Sequence, residues 1–163
     1  RNGKGKEYYK NGKIMFEGEY INGIRNGRGK EYYDDNILMF EGEYLNGKRW
    51  NGKGYNKKGI MDFEIKNGNG KGKEFYNDCK LKFEGEYLNG FQNGKGKEYY
   101  KNGVIKFEGE YLNDEKSGKG KEYYFDDKLM FEGEYLNGKR NGKLKEYYVD
   151  DNKLMFEANI LMD

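Results

Sequence analysis

Carboxylates are the groups in this sequence most capable of chemistry: 29 Asp and Glu stand beside 31 Lys and Arg, 17 Tyr and one Cys, with no His. Two acids at a suitable separation can cleave a glycosidic bond. Catalysis needs such a pair once, whereas Glu-Gly-Glu returns at 17–19, 41–43, 84–86, 108–110 and 132–134. Acids stamped along a chain in this way point to structure, so no enzymatic activity and no cofactor are expected. Ser117 is the only Ser and Thr is absent. With no His, neither a Ser/His nor a Cys/His nucleophile pair can form, and His-containing zinc sites are excluded. The Gly-Lys-Gly-Lys phrases lack the spacing of a phosphate-binding loop and lead into strand, with no helix N-terminus to hold phosphate. Cys79 aligns with Gly12 of an Asn-Gly turn and reads as an exposed turn-tip thiol.

Lys and Tyr recurring together could clamp phosphates and stack bases. Here the net charge is only +2, and Glu stands across from most Lys, so nucleic acid is not an expected partner. The acidic stretch NDEKSG at 113–118 further interrupts any basic stripe. One Cys permits no internal disulfide. No signal peptide or membrane-length apolar run is evident, which gives an intracellular, cytoplasmic expectation. The chain opens inside a repeat and reads as a piece of something longer.

The elements that must carry these groups are short strands. Phe16, Phe40, Phe63, Phe83, Phe107, Phe131 and Phe156 recur at intervals of 20 to 25 residues, the period of a stacked array. Each unit reads as strand FEGEY, a loop such as LNGKRNG, strand GKGKEYY and a second turn. Proline is absent, so Gly, Asn and Asp must make the turns. Centring a two-residue turn on Asn11-Gly12 pairs Tyr9 with Ile14, Lys6 with Glu17 and Lys4 with Glu19. Centring the next loop on Ile24-Arg25 pairs Glu19 with Lys30, Tyr20 with Gly29 and Phe16 with Tyr33. One face then carries aromatic rings over glycine, and the other carries interleaved Lys and Glu. The row Glu7, Glu31, Glu74, Glu98, Glu122 and Glu146 falls on the aromatic face, where a desolvated carboxylate is costly. Either these acids reach Tyr hydroxyls or the rim, or a bulge shifts the face locally; the bulge or rim is the favoured reading.

The chain reads as a single array over 1–163, with an irregular unit at about 50–76 and a capping unit at about 154–163. The irregular segment places Trp50 in a loop and shortens the following hairpin, either as a tolerated deletion or as a docking notch. The last unit replaces the usual Gly by Ala158 and the usual Tyr by Ile160, as an end cap or a docking edge would.

FEGEYINGIRNGRG at 16–29, FEGEYLNGKRWNGKG at 40–54, FEGEYLNGFQNGKG at 83–96 and FEGEYLNGKRNGKL at 131–144 resemble the MORN repeat family, membrane occupation and recognition nexus. The KEYY endings and Leu144 at a Gly-x-Gly position mark a variant of about 24 residues. The resemblance implies an all-β fold, an elongated, twisted, single-layer antiparallel sheet of repeated hairpins. It also implies a protein-interaction scaffold or adaptor, often dimeric, at a membrane or cytoskeletal structure. Partner docking is assigned to an aromatic-lined groove of Phe16, Tyr20, Tyr33, Phe83, Tyr87, Tyr100, Phe107, Tyr111 and Tyr124, with Trp50, or to an end strand. A protein partner or a second copy is expected, and no small-molecule substrate. The alternatives are binding of anionic lipid, a phosphoinositide headgroup, through Lys48, Arg49, Lys139 and Arg140, or a recruiting module of a longer multidomain protein.

Overall fold

The twofold chemistry of each strand, Phe and Tyr alternating with Glu and Lys, produces an all-β chain. The computed structural model describes residues 2–160, and among them there are fourteen antiparallel strands and no helix. Two compact units divide the chain. The first runs to Cys79 and also takes in Tyr87–Phe91. It contains β1 (Gly3–Tyr8), β2 (Ile14–Ile21), β3 (Ile24–Tyr32), β4 (Leu38–Leu45), β5 (Lys48–Tyr55), β6 (Met61–Lys66) and β7 (Asn69–Phe75). The second comprises Lys80–Glu86 and the chain from Gln92 onward. To it belong most of β8 (Leu81–Leu88) and β9 (Phe91–Tyr99), then β10 (Ile105–Leu112), β11 (Glu115–Tyr123), β12 (Leu129–Leu136), β13 (Lys139–Tyr147) and β14 (Leu154–Ile160). Within each unit hydrogen-bonded neighbours follow chain order. The capping unit expected at 154–163 is described as far as Ile160; residues 161–163 lie outside the described residues.

Two kinds of turn alternate, and both differ from the register expected. The β2–β3 connection is Asn22-Gly23, with φ of 52° and 82°. That is the two-residue turn whose twist matches the flanking strands, and Asn-Gly is the pair best able to adopt it. Ile24 and Arg25 are therefore strand residues, pairing with Ile21 and Tyr20, while Phe16 faces Glu31 and Gly18 faces Gly29. The β1–β2 turn is a three-residue loop, Lys10-Asn11-Gly12. The Gly12 amide donates to the Tyr9 carbonyl and the Tyr9 amide to that of Lys13. The extra residue moves Tyr8, not Tyr9, opposite Ile14, while Lys6–Glu17 and Lys4–Glu19 stand as expected. Trp50 lies in β5, not in a loop: Arg49 faces Tyr44, Asn51 faces Glu43, and Trp50 is the unpaired bulge residue between them.

Each unit has a core of phenylalanines. Phe16 and Phe40 in the first unit and Phe107 and Phe131 in the second have no exposed surface, and Phe83 almost none. Phe16 lies on the backbone of Gly18 and Gly29. A methyl group on Gly18 would come within 2.6 Å of the Phe16 ring and 2.7 Å of the Gly29 Cα. The flanking tyrosines close over the ring edge-on, with Phe16–Tyr44 and Phe107–Tyr135 centroids 5.1 and 5.4 Å apart. Burying each such ring stabilises by about 1.5–3 kcal/mol.

Candidate functional site

The aromatic face carries charge as well as rings. Glu7 faces Phe16 and Glu31 faces Phe16 from the other side, so the glutamate row does lie on this face, and a local shift does not remove it. The desolvation problem is met by tyrosine hydroxyls, the less favoured of the sequence readings. Tyr20 donates to Glu7 at 2.7 Å, Tyr44 to Glu31 at 2.6 Å, Tyr87 to Glu74 at 2.8 Å and Tyr111 to Glu98 at 2.9 Å.

Cations complete the ladder. Arg25 sits 3.9 Å above the Phe16 ring and reaches Glu7 at 2.6 Å and Glu31 at 3.8 Å. Arg49 lies over Phe40 and grips Glu31 through Nε and Nη2, both at 2.8 Å. In the second unit Lys116 lies over Phe107 and pairs with Glu122 at 2.7 Å, and Arg140 lies over Phe131 between Glu122 and Glu146. Each cation thus has a ring beneath it and carboxylates beside it, which combines cation–π attraction with ion pairing. Burial opposes ionisation of Glu31, but Arg49, Tyr44 and Arg25 overcome it and bring the carboxyl down to about 2. Burial and the neighbouring Glu31 push the Tyr44 hydroxyl well up. Glu31 and Arg49 therefore stay charged at neutral pH.

The opposite face repeats the device in a more exposed form. Tyr32, Tyr55, Tyr99, Tyr123 and Tyr147 donate to Glu17, Glu41, Glu84, Glu108 and Glu132, and pairs such as Lys6–Glu17 and Lys97–Glu108 lie beside them. In four of the five Glu-Tyr-Tyr motifs the second Tyr bonds forward to the next repeat: Tyr9 to the Tyr32 carbonyl, Tyr33 to that of Tyr55, Tyr100 to that of Tyr123 and Tyr124 to that of Tyr147. The Asn-Gly turns stack as well, Gly47 N–H on the Arg25 carbonyl and Gly138 N–H on that of Lys116.

These placements revise the sequence-derived sites. Phe16, Phe83, Phe107, Tyr33 and Tyr111 are buried, so they form the floor under the ladder and not an open groove. Tyr20, Tyr87, Tyr100 and Tyr124 are partly exposed, with hydroxyls donating as above. Trp50 is partly exposed, and its carbonyl accepts from Gly68 N–H. Of the four basic residues, Arg49 and Arg140 belong to the ladder, not to loops, because each is drawn over a Phe ring by its carboxylates. Lys48 sits over the Phe91 ring at 4.5 Å, and Lys139 is exposed. Cys79 is not an exposed thiol. The turn carrying it folds inward, so it is 8% exposed beside Tyr33 and Met39, with the Asp34 amide donating to its sulfur at 3.2 Å.

The first unit also holds a cavity of about 300 Å³ whose lining includes Arg25, Glu31, Tyr44, Lys48, Arg49 and Glu74. Sequence reasoning missed it. The signal available was the irregular unit itself, which supplies Ile65, Glu74, Phe75 and Tyr76 to the lining.

Comparison with protein families gives one assignment. The family model described as MORN repeat matches residues 16–37, 83–105, 107–127 and 131–153, and that of the MORN repeat variant matches residues 1–22. No curated protein matches the chain significantly.

Proposed function

The chain belongs to the MORN repeat family, and on that premise we propose that it is a non-enzymatic protein-interaction scaffold whose docking element is β14, the outermost strand of the second unit among the described residues. MORN repeats are non-catalytic modules of interaction and membrane association. The observation that carries the docking reading is the state of Phe156. It occupies the register position of the buried phenylalanines, facing Glu146 as Phe131 does. Its counterparts Phe16, Phe40, Phe107 and Phe131 are fully covered, yet Phe156 is 48% exposed, and Leu154, Met155 and Ile160 are exposed with it. An apolar edge strand is a template for another strand. The occupant that answers the same side chains is β14 of a second copy, paired antiparallel in a twofold interface.

Sedimentation velocity on the wild type and on Phe156→Lys tests this. A concentration-dependent dimer that the substitution abolishes, with the far-ultraviolet spectrum retained, is the expected result. A wild type that stays monomeric to about 100 μM, a concentration at which an interface worth about 6 kcal/mol would be populated, rejects self-pairing through β14. Binding to anionic lipid is the weaker reading, since two of its four basic residues are held in ion pairs over the core.

A further inference from the structure

Each unit contains a turn of the same build in different surroundings. In the first, the β3–β4 turn follows Tyr33 and reads Asp34-Asp35-Asn36; in the second, the β11–β12 turn follows Tyr124 and reads Phe125-Asp126-Asp127. Both are closed by the same two bonds, from the Tyr amide to the carbonyl four residues on and from the amide of the third loop residue to the Tyr carbonyl. The first unit covers this turn with its own chain. The Phe75 ring meets Tyr33 edge-on at 5.3 Å, and Cys79 packs into the same cluster. Lys57, from the β5–β6 turn, lies 5.4 Å over the Tyr33 ring and pairs with Asp34 and Asp35 at 3.6 and 3.5 Å. Tyr33 and Met39 are buried as a result.

The second unit supplies neither that ring nor that lysine. Tyr124 and Met130, at the positions of Tyr33 and Met39, are partly exposed, and no ring or cation lies against Tyr124 among the described residues. Where Lys57 opens the β5–β6 turn, Val149 opens the β13–β14 turn, followed by Asp150 and Asp151. The two turns of the second unit lie side by side, since Tyr124 Oη donates to the Tyr147 carbonyl at 3.0 Å and Lys128 Nζ to that of Val149 at 2.7 Å. Phe125 stacks one side on Tyr100 yet is 68% exposed, and Val149 is 41% exposed. Lys128 and Lys153 pair within their own turns, with Asp126 and Asp151. Asp127 and Asp150 stand in no ion pair among the described residues. The edge is therefore apolar and net negative, the complement of a cation beside an aromatic ring.

We propose that this turn edge docks a basic segment of a partner protein, in which an aromatic side chain flanked by lysines or arginines takes the places that Phe75 and Lys57 hold in the first unit. The partner's ring lies against Tyr124 and Phe125, and its cations meet Asp127 and Asp150. Four aspartates on the two turns disfavour an anionic membrane in the same place. The surface does not rest on the β14 dimer.

The test titrates the full chain carrying Phe156→Lys, so that β14 pairing plays no part, with an acetylated, amidated Gly-Lys-Phe-Lys-Gly peptide, followed by amide NMR. Saturable shifts centred on residues 125–128 and 149–151, with a dissociation constant of about 1 mM or tighter, are expected. Gly-Lys-Ala-Lys-Gly and Gly-Glu-Phe-Glu-Gly should each bind at least about tenfold more weakly. Phe125→Ser should weaken binding about tenfold, and Asp127→Asn combined with Asp150→Asn about fivefold. All three positions are exposed, and the amide spectra check that each variant keeps its fold. Absence of saturable shifts, or equal shifts from the alanine peptide, overturns the proposal. So do shifts of these amides on dilution without peptide, which would seat a second copy there, and flotation of the wild type but not of Phe125→Ser with phosphatidylserine vesicles, which would make the edge a membrane contact.

Discussion

Replacing Glu31 by Gln removes one carboxylate from the best-covered part of the ladder and leaves its shape. Glu31 and Arg49 have side-chain exposures of 16% and 15%, so the guanidinium of Glu31→Gln is left largely desolvated with no counter-charge. Breaking a pair in such a setting costs about 3–5 kcal/mol. An independent figure comes from the carboxyl itself, held at about 2 against an ordinary 4.5. That depression corresponds to about 3 kcal/mol. Urea unfolding followed by circular dichroism should therefore show the midpoint falling by about 1.5–2.5 M, for a slope of about 2 kcal/mol/M. The control is Glu17→Gln on the opposite face, whose carboxylate is 35% exposed and whose loss costs about 0.5–1 kcal/mol. The pH dependence fixes the cause. A carboxyl depressed in the folded state stabilises fully above its unfolded value, near pH 4.5, and loses that contribution as pH falls through about 2. The gap between wild type and Glu31→Gln should then be constant above about pH 5 and close toward pH 2. If Glu31→Gln costs no more than Glu17→Gln, the ladder does not stabilise the first unit and the reasoning fails.

Phe107→Ala should cost about 3–5 kcal/mol, as expected for a fully buried ring, and Phe156→Ala about 1 kcal/mol, because Phe156 is half-exposed; urea midpoints of the two variants compare them. Equal costs would mean that the end strand is covered in solution, as the β14 dimer requires at high concentration. Cys79 should react with a thiol reagent far more slowly than a free cysteine under native conditions, and at the model rate in denaturant, since its sulfur is enclosed by Tyr9, Tyr33 and Met39. Immediate labelling of the native protein would contradict the inward-folded turn.

The hairpin array was legible because its causes are local. Phe spacing, Gly under each ring and Asn-Gly between strands each point to the same architecture without knowledge of distant contacts. The register was harder to read. Choosing Ile24-Arg25 over Asn22-Gly23 as the turn centre ignored that only the second pair readily adopts two positive φ values, and the error propagated to the partners of β3 on β2. The glutamate row was misjudged for a different reason. Its tyrosine donors lie thirteen residues away, and its guanidinium partners eighteen, so each acid in isolation looks like a burial penalty when it is one member of a closed set of charges. Cys79 depended on longer range still: its neighbour Tyr9 is seventy residues distant, and no local pattern announces that a turn will fold inward.

The stacked turns bear on how the protein ages. Asn-Gly is the dipeptide most prone to spontaneous deamidation, in which the Gly backbone nitrogen attacks the Asn side-chain carbonyl to form a cyclic imide, and asparagine is among the residues that fail first on heating. At Asn46-Gly47, Asn67-Gly68, Asn89-Gly90 and Asn137-Gly138 that nitrogen donates its hydrogen to a carbonyl of the preceding turn, at 2.7 to 3.0 Å. The Asn residues themselves are fixed at φ of 50° to 53°. The attacking atom is therefore tethered, and the flexibility that ring closure demands is withdrawn. A sequence that would be chemically short-lived as a loose chain becomes durable when folded, and isoaspartate should accumulate first wherever a turn has lost the neighbour beneath it.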